Sequence, residues 1–198
     1  MKDINFIFLL LALVAEIIGT IGGFGSSVFF VPLGNFYFDF YSVLGLTAIF
    51  HLSSNVSKIF LFKKGLDKKL LINIGVPSVV FVILGGVLSK HLNSTYLEIF
   101  LGVFLVAFSA FFLIRNKFSF SPNRKNAIVG GTLSGFSAGL LGTGGAIRGL
   151  TMAAFNLEKS VFIATSAVID FAVDLSRTVV YYFNGYIITW ILHHLHVL

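Results

Sequence analysis

The chain of 198 residues is 57% hydrophobic and only 11% charged, with 24 phenylalanines, no cysteine and a net charge of +6. A soluble domain carries about 25% charged residues because its surface must be wetted, so composition excludes a soluble globular enzyme, a disordered chain, a disulfide scaffold and cysteine-ligated metal sites. In a membrane protein an excess of basic residues first indicates which loops face the cytoplasm, not a nucleic-acid partner.

Apolar segments long enough to cross about 30 Å of hydrocarbon follow one another along the chain. In chain order they cover residues 4–40, 42–62, 70–89, 96–114, 126–156 and 160–183. Short polar stretches separate them. We therefore predict an all-α, polytopic membrane protein.

Two of these segments, 4–40 and 126–156, are too long for one crossing at about 1.5 Å per residue. Glycines interrupt both, at Gly22-Gly23-Phe24-Gly25 and at Gly142-Thr143-Gly144-Gly145. We interpret each segment as a broken helix, in which two half-helices meet at an unwound turn within the membrane. Such a turn is stable only inside protein or beside a water-filled cavity, because lipid cannot form hydrogen bonds with its backbone amide groups. The two breaks are therefore predicted to form two halves of one site.

An internal repeat relates the two halves of the chain at an offset of 119 positions. Gly23-Phe24-Gly25 aligns with Gly142-Thr143-Gly144, and Asn55-Val56-Ser57-Lys58 aligns with Asp174-Leu175-Ser176-Arg177. We predict two transmembrane repeats, residues 1–119 and 120–198, each beginning with a glycine-broken helix. The second repeat is expected to be incomplete, because a full copy would extend beyond residue 198.

Loop charges predict the orientation. One short loop contains Lys63, Lys64, Lys68 and Lys69, and another contains Arg115, Lys117, Arg124 and Lys125. Both loops are expected at the cytoplasmic face. The counterpart of the first basic loop in the second repeat is Asn184-Gly185, which is uncharged. This difference favours inverted over parallel repeats.

Two predicted helices carry a polar stripe along one face. The first stripe is Thr47, His51, Asn55 and Lys58, and its image is Ser166, Asp170, Asp174 and Arg177. Ionisable residues within a membrane helix are candidates for function. We assign Thr47 and Ser166 to substrate binding, and the other six to coupling or gating. The structural alternative is an ion pair of Asp174 with Lys58 or Arg177, with Lys58 otherwise reaching the cytoplasmic surface.

Arg148 follows Gly145 by three residues, in the first turn of the half-helix after the second break. An anion there would meet free backbone N–H groups, the positive end of the helix and a guanidinium. The alternative is an arginine that reaches a phospholipid headgroup. The first break lacks an arginine and offers Ser26 and Ser27 instead, so the predicted site is asymmetric. Glu16 either accepts a coupling proton or pairs with a cation, and the sequence favours neither role.

The order of these elements resembles the TauE/SafE sulfite exporter family over residues 15–186. The resemblance lies in a glycine-rich break leading to Val31-Pro32 and a helix with Gly45-Leu46-Thr47, Ser57-Lys58 and Lys64-Gly65, repeated in the second half. It implies a permease for sulfite, sulfonates and related sulfur-containing anions. The residues assigned to substrate binding, besides Thr47 and Ser166, are Gly23, Gly25, Ser26, Ser27, Gly142, Gly144, Gly145 and Arg148.

We therefore expect a secondary transporter for a small sulfur-containing oxyanion in a bacterial or archaeal-type plasma membrane. We expect its partners to be the oxyanion substrate and the lipid bilayer. We predict no enzyme activity, cofactor, metal or nucleic-acid partner, and the sequence does not indicate the oligomeric state. One alternative is an intramembrane hydrolase that uses Ser137 or Ser26 with His51, since residues 135–139 match a nucleophile elbow. The glycines of that motif equally form a close-packing helix face with Gly131. The other alternative is an inactive, truncated paralogue that acts only through association.

Overall fold

The computed structural model describes residues 6–23, 25–62, 65–114 and 121–187. Its helices in chain order are α1 (Phe6–Gly22), α2 (Ser27–Asn35), α3 (Phe40–Leu61), α4 (Lys68–Ser89), α5 (Ser94–Ile114), α6 (Arg124–Leu141), α7 (Gly145–Ala153) and α8 (Lys159–Asn184). Helix α4 contains a π-helical turn at Leu71–Gly75. The described part of the chain contains no strand, and the predicted all-α class is confirmed.

Among the residues that the structure describes, three helices are long and apolar enough to cross a membrane, namely α3, α4 and the segment Ser94–Phe111 of α5. Helix α5 lies at the periphery, because only 11% of that segment is buried within the protein. Most of its exposed side chains, Val103 and Val106 among them, are apolar. An apolar face of this kind suits lipid, so the interior of the bundle is formed by the remaining helices.

The chain turns back on itself at the first break. The ring of Phe8, near the start of α1, lies 5.0 Å from the ring of Tyr37 and 5.4 Å from that of Phe38, both beyond the end of α2. Near the other end of the pair, Ser26 Oγ donates a hydrogen bond to the Glu16 carboxylate. Helices α1 and α2 therefore form an antiparallel hairpin whose tip is the glycine break.

The second break is the tip of a similar hairpin. Helix α6 ends at Leu141 and is capped by Gly142, which has a φ of +75° and donates its N–H to the Ala138 carbonyl. Glycine adopts this left-handed conformation without the steric cost that a Cβ brings. Ser134 Oγ then donates to the Gly144 carbonyl at 2.8 Å, and a Cβ at Gly130 would meet the Thr151 side chain. Helix α7 thus folds back along α6.

Helices α4 and α6 pack backbone to backbone through the predicted face of Gly131, Gly135 and Gly139. A Cβ at Gly131 would lie 2.4 Å from the Ile74 carbonyl oxygen, and one at Gly139 would lie 2.1 Å from that of Val82. Because the contacts advance in the same direction along both helices, α4 and α6 run parallel. Their first residues therefore lie at one end of the bundle, where the two basic loops were predicted together.

Helices α3 and α8 run antiparallel. Near the start of α3, Gly45 packs against Ile187, which follows α8; beyond the end of α3, the Asp67 amide donates to Thr165 Oγ1 at 3.0 Å near the start of α8. Asn184 Nδ2 donates to the Gly86 carbonyl at 2.8 Å, at the end of α4 opposite to its first residue. Inverted repeats require this antiparallel course, although the duplication itself stays a prediction.

Candidate functional site

The two breaks touch each other in the middle of the bundle. Ser27 Oγ donates to Thr143 Oγ1 at 3.2 Å. A Cβ added to Gly25 would lie 3.3 Å from the Gly145 Cα atom. The two hairpin tips therefore bring together backbone from both halves of the chain, and that they form one site stays a prediction.

A buried ion pair fixes the second break to α3 and α8. Arg177 Nε donates to Asp174 Oδ1 at 2.8 Å, and Arg177 Nη1 donates to the Gly142 carbonyl at 2.9 Å. The second carboxylate oxygen of Asp174 accepts from Asn55 Nδ2 at 2.7 Å. The side chains of Arg177 and Asp174 are 3% and 7% exposed. This is the Asp174–Arg177 pair of the structural alternative, and it binds the aligned positions 55 and 174 to each other.

Glu16 connects the first break to α3. Its carboxylate accepts hydrogen bonds from Ser26 Oγ and Ser54 Oγ and lies 2.6 Å from Lys58 Nζ. The partner of Lys58 is therefore Glu16 and not Asp174. The lysine side chain is only 18% exposed, so its charge is held within the protein and does not reach for the cytoplasmic surface. Of the two roles that the sequence left open for Glu16, this geometry favours the ion pair with a cation, here Lys58.

Arg148 is also paired within the protein. The residue is 4% exposed, its guanidinium forms an ion pair with the Asp170 carboxylate, and its Nε donates to Ser166 Oγ at 3.2 Å. Ser166 Oγ in turn donates to Asp170 Oδ2 at 3.4 Å. The headgroup alternative for Arg148 is therefore wrong, because the side chain points into the bundle toward α8.

A cavity of about 30 Å³ lies between the breaks and these charged side chains. Its lining includes His51, Lys58, Arg148, Asp170, Asp174 and Arg177. This volume holds about one water molecule, so the protein is closed around the site. A second cavity of about 30 Å³ is lined by Ser166 and by the same Lys58, Arg148 and Asp170.

The predicted substrate-binding residues divide into three groups. Gly25, Ser27, Gly142, Gly144, Gly145 and Arg148 line the first cavity. Gly23 and Ser166 line the second cavity, which Gly25 and Arg148 also reach. Ser26 and Thr47 are buried outside both linings: Ser26 contacts Glu16 and His51, and Thr47 Oγ1 donates to the Val43 carbonyl of its own helix at 2.6 Å.

Two hydroxyl residues at the site were missed in the sequence. Thr143 was treated as part of a glycine turn, although it is the only residue of Gly142-Thr143-Gly144-Gly145 with a polar side chain. Ser54 follows Thr47 by seven residues and His51 by three, so it shares the face of the polar stripe on α3, and helical periodicity could have found it. The contact with Glu16 depends on the packing of α1 beside α3, which no local pattern reveals.

The arrangement does not favour a hydrolase. Ser26 Oγ lies 3.2 Å from His51 Nδ1, but Glu16 accepts its hydrogen bond from Ser26 and lies 4.0 Å from the imidazole. A nucleophilic triad needs the acid on the far side of the histidine, where it orients the base. Ser137 Oγ donates to the Ser134 carbonyl of its own helix at 3.1 Å. In the described ranges no three His, Asp or Glu side chains converge on a metal position.

Comparison with known proteins gives a consistent picture over nearly the whole chain. A family model described as sulfite exporter TauE/SafE matches residues 8–197. A protein of Methanocaldococcus jannaschii, named probable membrane transporter protein MJ0441, is 24% identical over 179 residues, which cover 82% of this chain and 67% of that protein. No solved structure matches the chain.

Proposed function

The chain belongs to the TauE/SafE sulfite exporter family and is an integral membrane transporter, and on that premise we propose that its substrate is a small sulfur-containing oxyanion, such as sulfite or an organosulfonate. The observation that carries this proposal is the meeting of the two breaks beside Lys58, Arg148 and Arg177. The planar, forked donors of arginine suit the oxygens of a sulfite or sulfonate group. No cofactor is needed for such a transporter.

The starts of two half-helices also favour an anion. Helix α2 begins at Ser27 and α7 begins at Gly145, and both residues line the first cavity. The first turn of a helix has unpaired N–H groups and a partial positive charge. Discontinuous helices that direct these ends at an anionic group are a recurring feature of secondary transporters. We assign the anion to the space between the two helix starts.

Transport then requires the closed site to open on alternate sides. A groove of about 320 Å³ is lined by Gly23, Phe162, Ile163 and residues of α7. Gly23, Phe162 and Ile163 also line the second cavity, so the groove leads toward Lys58 and Arg148 with Phe162 between them. This groove lies beside the first turn of α8, at the end of the bundle where the basic loops were predicted. Our proposal therefore makes it the cytoplasmic entrance. The two predicted repeats, 1–119 and 120–198, are the halves that rock against each other.

The test is transport by purified protein in proteoliposomes. Radiolabelled sulfite, thiosulfate and taurine are offered to vesicles with and without the protein, and saturable flux of at least one is expected. Gly144→Leu should abolish that flux, because a Cβ at Gly144 would lie 2.2 Å from the Ser134 carbonyl oxygen. Gly102→Leu is the matched control, since a Cβ at Gly102 meets no atom within 4 Å. Well-folded protein that moves none of the three compounds would contradict the substrate class and favour the inactive paralogue.

A further inference from the structure

The charges around the site balance in pairs. Within the described ranges, the ion pairs of lysine and arginine are Lys58 with Glu16, Arg148 with Asp170, and Arg177 with Asp174, and His51 lies 4.0 Å from the Glu16 carboxylate. The empty site therefore has no net charge, if His51 is neutral. A substrate anion meets no unpaired cation in this arrangement. Bringing an additional charge into a closed, poorly solvated site is costly, so binding of the anion has to change one of the three pairs.

The three carboxylates differ in how firmly they are held. Asp174 is bound by Arg177 and Asn55 and is 7% exposed. Glu16 accepts from two serines in addition to its contact with Lys58 and is 14% exposed. Asp170 is 20% exposed, and its hydrogen bond from the Ser166 hydroxyl is a long one of 3.4 Å. Asp170 also lines both cavities, so it is the carboxylate that an incoming anion displaces most easily.

We propose that Asp170 is a built-in counter-anion that the substrate replaces on Arg148, and that Asp170 takes up a proton when it is displaced. The inference rests on the proposed function, because it needs a transported anion. For a singly charged anion the balance is one proton: it binds a carboxylate oxygen of Asp170 as the anion reaches the Arg148 guanidinium. When the anion leaves, Asp170 loses this proton and the ion pair forms again. The site has the same net charge when empty and when loaded.

Several charged groups face Asp170 and set the conditions for this exchange. Arg148 faces it from α7, while His51 and Lys58 face it across the first cavity from α3. Asp174 and Arg177 line the same cavity from α8, and Glu16 on α1 acts through its ion pair with Lys58. The two other carboxylates keep their own cations, so the proton taken up with the anion is assigned to Asp170.

Neutrality of the empty site has a consequence for the type of transport. An empty carrier must change its orientation before it can move a second anion, and a buried, unpaired cation opposes that change. With Asp170 on Arg148 the empty carrier has no such charge, so net transport proceeds without a counter-substrate. In Asp170→Asn the empty carrier holds an unpaired Arg148, whereas the loaded carrier is still neutral. This variant should therefore exchange one anion for another but fail in net transport.

The experiment compares two fluxes of radiolabelled sulfite at a pH at which the singly charged hydrogensulfite ion is present, so that the one-proton balance applies. Net uptake is measured into empty vesicles, and exchange is measured into vesicles filled with the unlabelled compound. In Asp170→Asn the ratio of net uptake to exchange should fall at least about tenfold. Asp170→Glu keeps the charge and should restore much of the ratio. Glu98→Gln, an exposed carboxylate on α5, is the matched control and should leave both fluxes unchanged.

Two further measurements keep the inference testable if Asp170→Asn folds poorly. A pH-sensitive dye inside wild-type vesicles should report proton movement in the same direction as net anion flux. The double variant with Arg148→Gln has a neutral empty site again, so its ratio should return toward that of the wild type even if its affinity falls. Equal loss of both fluxes in a folded Asp170→Asn, or an unchanged ratio, overturns the counter-anion role. Absence of flux in the wild type contradicts the proposed function instead.

Discussion

The two glycine breaks occupy similar places in their hairpins but differ in how they are held. Residues 142–145 of the second break are all buried, whereas Gly23 and Gly25 of the first are only half-buried. Side chains bind the carbonyls of the second break, through Arg177 at Gly142 and Ser134 at Gly144. The first break is instead stabilised through the Ser26 hydroxyl. The second break is therefore the better fixed of the two, and we expect the first to move more during transport.

The largest effect is expected where a side chain is forced into the fixed break. Gly144→Leu places a Cβ 2.2 Å from the Ser134 carbonyl oxygen, so backbone must move and transport should be abolished. Gly25→Leu meets the Gly145 Cα atom at 3.3 Å and has to adopt a φ of +77°, so transport should also be lost, with less damage to folding. Thermal unfolding in detergent and flux in proteoliposomes measure the two effects. Equal thermal stability of the variants would contradict the difference between the breaks.

The second prediction concerns the ion pairs beside each break. Asp174→Asn leaves Arg177 buried without a carboxylate, which should destabilise the fold by about 3–5 kcal/mol. Glu16→Gln leaves Lys58 without its partner, but Lys58 is 18% exposed against 3% for Arg177. Water can therefore reach the lysine more easily, and the loss should be smaller. Unfolding of both variants in the same detergent tests this, and a larger loss in Glu16→Gln would reverse the order that we assign to the breaks.

Much of this comparison was visible in the sequence. Glycines located both breaks, because few other residues permit backbone to turn so tightly or to approach so closely. Helical periodicity put His51 and Asp170 on faces that line one cavity. The glycine breaks and the helical faces could be predicted because each depends only on residues that are close together in the sequence.

The ion-pair and hydrogen-bond partners of the site residues could not be predicted from the sequence, because they depend on how the hairpins pack. The stripe on α8 offered Asp174 as a partner for Lys58 of α3, yet Glu16 from α1 takes that place. The contact of Ser27 with Thr143 joins residues 116 positions apart, and it exists only because the two hairpin tips meet. Spacing along a helix predicts which side chains share a face, but it does not predict which side chain lies opposite.

The third prediction tests whether the cations of the two halves act differently. Arg148→Lys keeps the charge but loses the forked geometry, so anion affinity should weaken by about 1–3 kcal/mol, and by more in Arg148→Ala. Lys58→Arg keeps a charge for Glu16, for which a point charge suffices, and should change affinity less. Concentration dependence of flux at matched protein incorporation gives the affinities. If the alanine variant binds the anion as well as the wild type does, Arg148 is not part of the site.

The smallest effect is expected at the contact between the breaks, where Ser27 Oγ donates to Thr143 Oγ1 at 3.2 Å. A neutral hydrogen bond of this kind contributes about 0.5–1.5 kcal/mol, so Ser27→Ala and Thr143→Val should each lower the thermal stability of the closed protein slightly. In a double-mutant cycle the pair should lose less than the sum of the single losses, because either change already removes the shared bond. The anion is expected to separate these hydroxyls when it binds between the helix starts. The coupling between the two positions should therefore be measurable without substrate and should shrink when a saturating anion is added. A coupling that persists at saturation would mean that the breaks stay in contact throughout, and the anion would then have to pass to one side of them.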